Sequence, residues 1–214
     1  MIKKILAGAI SAMIFAGAAH AQIAVSVWNN SAGATAAGAN ATLAQAATLG
    51  APSATTTVSA INFNSAVGGY TIGGFLNNPA GLTPSVASAD LNNTYFYLTG
   101  QVLLNAGNNA FVVAHDDGLQ LNITGIGMVV NQPGPTSPVN TPFNVVAPFA
   151  GLYDFQMSYG ETAGPPAQLI WQINGATVGG VPEPATWGMM LLGFAGIGVA
   201  MRRRRSNQAL LQVA

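Results

Sequence analysis

The 214-residue sequence has no cysteine, which excludes disulfides, thiolate metal centres and a cysteine nucleophile. Charge is also scarce. Asp, Glu, Lys and Arg make up 6% of the residues, against about a quarter in an ordinary soluble domain. Between Gln22 and Val181 there is no Lys and no Arg. That stretch holds five acids, Asp90, Asp116, Asp117, Asp154 and Glu161, and carries a formal charge of −5. A body without cations cannot neutralise phosphates, so nucleic acid is excluded as a partner. Its acids must instead be balanced by water, by backbone donors or by a bound cation. The single histidine of this stretch, His115, cannot supply a two-histidine zinc site, and it reads as a strand-end surface residue.

All six basic residues sit at the two ends. Residues 1–21 have the three parts of a secretory signal peptide: Lys3 and Lys4, an apolar run from Ile5 to Ala18, and Ala19-His20-Ala21 as an A-x-A cleavage site. Cleavage makes Gln22 the new N-terminus, with the Sec translocon and signal peptidase as the implied partners. An uncleaved N-terminal anchor is the other reading. At the far end, Pro182-Glu183-Pro184 precedes an apolar run from Ala185 to Met201, followed by Arg202, Arg203, Arg204 and Arg205. As a helix of about 25 Å the run is at the short end of what crosses a bilayer. The arginines favour the cytoplasmic side and Trp187 an interface. Residues 206–214 would form a cytoplasmic tail. A plain single-pass anchor is the alternative.

Residues 181–205 closely resemble the PEP-CTERM sorting signal, in which the tripeptide, one transmembrane helix and a basic cluster occur in that order. The resemblance implies processing by an exosortase after membrane anchoring through the helix. It also implies a destination at the cell surface or in the extracellular matrix, with exopolysaccharide as a candidate partner.

Residues 22–57 are rich in Ala, Thr, Gly, Ser and Asn and read as a low-complexity segment, with a short helix over 40–49 and a loop over 51–57. From residue 58 short β-type runs alternate with Gly, Asn and Pro. The expected strands are 58–63, 70–75, 94–104, 109–115, 119–124, 126–130, 142–149, 151–159 and 167–173. An antiparallel β-sandwich or barrel over 58–180 follows. The order of its pieces is distinctive: Ala114-His115-Asp116-Asp117-Gly118, an alternating strand ending at Gly125, Ala150-Gly151-Leu152-Tyr153, Tyr159-Gly160-Glu161, and Leu169-Ile170-Trp171. This order resembles the PA14-like family, which implies a β-sandwich of jelly-roll type and a carbohydrate-binding role. In one branch of that family an Asp-Asp pair holds calcium, and Asp116 and Asp117 match the pair.

Calcium takes six to eight oxygens, so two carboxylates would need carbonyls, waters or side chains such as Asn131 or Asn140. Asp-Asp-Gly is also a good hairpin turn, with glycine at positive φ, and that reading has the greater weight. Tyr153, Tyr159 and Trp171 can form a sugar platform or pack in the core. No nucleophile elbow is present. Asp154 and Glu161 are formally a glycosidase pair, but a strand and its following loop offer nothing to shift their pKa values. The expected function is therefore non-catalytic: a glycan-associated module, or a structural, self-associating matrix protein, with a secreted glycoside hydrolase as the remote alternative.

Overall fold

The computed structural model describes residues 22–29, 32–77, 81–162, 164–179 and 193–194. Ala21–Gly180 forms one compact unit, and both chain ends belong to the other. The signal segment with Ala19 and Ala21, the tripeptide Pro182, Glu183 and Pro184, and Arg202 to Arg205 lie outside the described residues. So do the tail 206–214 and the 185–201 run, apart from Gly193 and Phe194. Among the described residues no helix is long and apolar enough to cross a membrane.

The domain begins with β1 (Ile23–Trp28), α1 (Ala32–Ala39), α2 (Gln45–Thr48), β2 (Ala54–Val58) and β3 (Asn62–Asn64). Three short helices follow: α3 (Ser65–Gly68), α4 (Ile72–Leu76) and α5 (Pro84–Ala87). Then come β4 (Thr94–Leu104), β5 (Gly107–Asp116), β6 (Leu119–Ile123), β7 (Gly127–Gln132), β8 (Val139–Ala147), β9 (Gly151–Glu161), β10 (Gln168–Ile173) and β11 (Ala176–Thr177). One antiparallel sheet runs β2-β1-β4-β9-β6-β7. The other runs β11-β10-β5-β8, with β3 also on β10.

The sandwich core follows from period-two alternation. Phe155, Met157 and Tyr159 of β9 and Leu119, Leu121 and Ile123 of β6 point inward from one sheet. Phe111, Val113, Leu169 and Trp171 face them from the other. Phe155 meets Trp171 edge-on at 5.0 Å, and Tyr159 stacks on Phe75 at 5.6 Å. Trp171 and Tyr159 are fully buried, so the core reading of these aromatics holds. Tyr153 is half-buried and donates its hydroxyl to the Phe149 carbonyl.

Three expectations are corrected. Residues 22–57 are part of the domain, because β1 lies between β2 and β4 with register from Ile23↔Val58 to Trp28↔Tyr95. Alternating burial in Ala54–Val58 makes the threonine run an edge strand, where β-branched residues pack well. Second, residues 70–75 hold a helix. Thr71 caps α4 by accepting from Gly74 N, and Ile72, Phe75 and Leu76, spaced i, i+3, i+4, are buried. Third, the expected strand 58–63 breaks between β2 and β3.

Helix α1 covers the outer face of the first sheet through Ala34 and Ala37, which pack with Trp28, Ala41 and Tyr95. Glycine permits that approach. A Cβ on Gly160 would lie 2.1 Å from the Gly38 carbonyl oxygen.

Candidate functional site

Asp116-Asp117-Gly118 is not a hairpin. Strand β5 pairs with β10 and β8, whereas β6 pairs with β7 and β9. The segment is therefore a crossover from one sheet to the other, and its Asp116–Asp117 peptide is cis. Gly118 is also not a positive-φ residue. Glycine is needed because a Cβ would lie 2.0 Å from the Pro133 carbonyl oxygen.

Two loops close over the crossover. Asp117 Oδ1 accepts from Thr136 N at 3.0 Å, in the connection from β7 to β8. Its Oδ2 accepts from Thr162 N at 2.9 Å and from the Thr162 hydroxyl, just after β9. The Asp117 carbonyl accepts from His115 Nδ1 at 2.7 Å. His115 is fully buried, contrary to its expected surface place. Alternation explains this, because His115 continues the inward row of Phe111 and Val113. Asp117 is thus a clamp holding three segments together.

Asp116 behaves differently. Among the described residues no donor reaches its carboxyl group, which lines an open pocket of about 440 Å³ with Asp117 and Glu161. Pro135, Thr136, Ser137 and Pro138 form one wall, and Gly164, Pro165 and Pro166 the other. Burial pushes the Asp116 carboxyl up to about 6, and the negative Asp117 beside it adds to the effect.

Glu161 was not foreseen as a member of this group. It extends the inward row Phe155, Met157, Tyr159 by one step and is only 1% exposed. Burial pushes its carboxyl up to about 8, with the charges of Asp117 and Asp116 acting in the same direction and the tyrosine hydrogen bonds opposing. The Tyr70 hydroxyl lies 2.9 Å from Glu161 Oε1 and 2.9 Å from Asn92 Oδ1. The Tyr159 hydroxyl serves Glu161 Oε2 at 3.1 Å and the Asp116 carbonyl. Each phenol has one proton for two acceptors, so the pair of phenols is two protons short, and a protonated Glu161 supplies one of them by donating to one phenol. Burial and the adjacent Glu161 hold both tyrosines well above their ordinary pKa.

The expected surroundings of the site are corrected at several residues. Asn131 and Asn140 are exposed and do not line the pocket; Asn131 accepts from Gln120 Nε2 at 2.7 Å instead. Asp154 lies seven residues from Glu161 along β9, about 23 Å at strand rise. That is too far for a glycosidase carboxylate pair. Asp154 accepts from Gln101 Nε2 at 2.8 Å.

As a donor set, the pocket offers hard oxygens and no base, which fits a calcium-like cation. Among the described residues no group of three or more His, Cys, Asp or Glu is arranged to hold a metal. A cation here would therefore rest on Asp116, Asp117 and oxygens of the 135–138 wall, with further oxygens from water or ligand.

Residues 180–205 match the PEP-CTERM protein-sorting motif, which marks the chain as an exported protein. No curated protein matches the sequence. Among solved structures, the PA14 sugar-binding domain from RTX adhesin is similar at a TM-score of 0.53 and 21% identity, over 77% of this chain and 94% of that one. The PA14 domain of the MpAFP antifreeze protein is similar at 0.53 and 19% identity, over 73% of this chain and 82% of that one. The likeness is one of fold: the domain is a PA14-like antiparallel β-structure.

Proposed function

We propose that this chain is an exosortase-sorted protein of the cell surface or extracellular matrix whose β-domain is a non-catalytic, glycan-associated module. Before sorting it is held in the membrane by residues 185–201, after export through the Sec translocon and removal of residues 1–21. The observation that carries the ligand reading is the Asp116 carboxyl. It lines a pocket with two other acids, lacks a protein donor among the described residues, and belongs to a body without a single Lys or Arg. A divalent cation held by Asp116 and Asp117 would offset that charge and present open positions to vicinal sugar hydroxyls. The PA14-like fold, seen also in a domain named for sugar binding, supports the same reading.

Asp116→Asn is the cleaner probe, because Asp117 also holds the loops together. On a glycan array with calcium, the wild-type mature chain binds and the variant does not, and chelation abolishes wild-type binding. Binding that neither chelation nor Asp116→Asn alters sinks the cation-assisted reading. For the sorting reading, replacing Pro182-Glu183-Pro184 by alanines leaves an unprocessed, membrane-retained product; normal processing of that variant would refute it.

A second reading, self-association within the matrix, draws on the other end of the sandwich, about 30 Å away along β5. Leu103 and Leu152, paired across β4 and β9, are exposed there, as are Val146 and Phe149. Concentration-dependent sedimentation that Leu103→Ser/Leu152→Ser abolishes would favour it.

A further inference from the structure

The domain holds its C-terminal strand almost up to the sorting motif. After the Asn174-Gly175 turn, Ala176 and Thr177 pair with Ile173 and Gln172. Val178 N donates to the Trp171 carbonyl at 2.9 Å, and the Val178 carbonyl accepts from Ile61 N at 3.0 Å. The Val178 side chain is buried in the core at 6% exposure. Gly179 lies so close to the Ser59 carbonyl oxygen that a Cβ would approach it to 2.3 Å. The matched motif begins at the next residue, and Pro182 is three residues beyond Gly179.

A protease takes its substrate as extended backbone on both sides of the cut. A cut on the N-terminal side of the tripeptide has only Gly180 and Val181 between it and the residues held by the sheet, and a cut on its C-terminal side has the five residues 180–184. With Ala176 and Thr177 paired to β10 and Val178 bonded to both Trp171 and Ile61, these residues do not enter a cleft until that part of the sheet opens. When opening and closing are fast, proteolysis follows the population of the open form.

We propose that Ala176–Gly179 is a latch that must leave the sheet before the sorting motif is processed, so that the domain's own terminal strand sets the rate of sorting. This rests on the reading that the motif is processed by an exosortase. The latch gives sorting a dependence on the state of the domain: a loosely closed domain is cut fast, a tightly closed one slowly.

The absence of cysteine makes a clean test possible. Gln172→Cys/Thr177→Cys places one cysteine on each of two cross-strand partners, within the span a disulfide bridges. Pulse–chase in cells carrying the exosortase follows conversion of precursor to the shorter product. The stapled chain is expected to convert about tenfold more slowly than wild type, as the open population falls. Inserting about ten Gly/Ser residues between Gly179 and Gly180 supplies flexible substrate outside the sheet. The insertion is expected to return the stapled chain to the wild-type rate or above. Conversion of the stapled chain at the wild-type rate overturns the latch, as does slow conversion that the insertion leaves unchanged. The Pro182-Glu183-Pro184 alanine variant runs beside them: its normal conversion would instead overturn the sorting reading, and the latch with it.

Discussion

Adjacent aspartates at the crossover have separate roles. Asp117 accepts from Thr136 N, Thr162 N and the Thr162 hydroxyl. Asp117→Ala leaves those donors without their partner and is expected to lower stability by about 2–3 kcal/mol, measured by urea unfolding. Asp116→Asn removes a carboxyl that repels Asp117 and breaks no described hydrogen bond, so its stability should stay within about 0.5 kcal/mol of wild type or rise. Gly118→Ala forces a Cβ against the Pro133 carbonyl and is expected to cost about 2 kcal/mol or more. The Asp-Asp-Gly run was legible as a candidate cation site, but its backbone context was not. A tight turn and a sheet-to-sheet crossover use the same residue types, and only long-range pairing separates them. Glu161 was closer to legible: the inward row 155, 157, 159 runs on to 161 without a break. Its environment comes from Tyr70 and Asn92, about seventy to ninety residues away in sequence, which no local pattern encodes.

At the level of elements, strands with clean alternation were readable because each side chain's face is set within the strand itself. The expected 94–104 coincides with β4, and 119–124 and 151–159 fall within a residue or two of β6 and β9. The segment at 70–75 was misread because β-type residues and glycines outweighed a short i, i+3, i+4 row. Its helix depends on Thr71 as a cap, and Thr71→Ala is expected to cost about 1 kcal/mol in thermal or urea unfolding. The Ala/Thr-rich start was misread because low complexity usually signals a linker. Here small residues are needed, since α1 lies against β9 at the Gly38–Gly160 approach. Strand β1 is an interior strand of its sheet, with β2 and β4 on either side.

At the scale of the whole domain, where no Lys or Arg occurs between Gln22 and Val181, stability follows the protonation of buried acids. Glu161 has a folded pKa of about 8 against an ordinary 4.5, and Asp116 about 6 against 3.8. Both are raised, so the folded state binds more protons than the unfolded state between those values, and stability falls as pH rises through them. Melting should occur at a higher temperature at pH 5 than at pH 8.5 without divalent cations. Glu161→Gln, which is always neutral, should flatten much of that slope; an unchanged slope would place its origin elsewhere. The sorting motif at 180–205 was legible without the fold, because its ordered pieces are recognised from the sequence alone.

The most direct test of the central claim is calorimetric titration of a chain beginning at Gln22, the proposed mature N-terminus, with exopolysaccharide as the proposed ligand, in calcium and in chelator. Saturable binding in calcium that disappears in chelator and in Asp116→Asn is the predicted result. Equal binding in all three, or none in any, would contradict a cation-assisted glycan module.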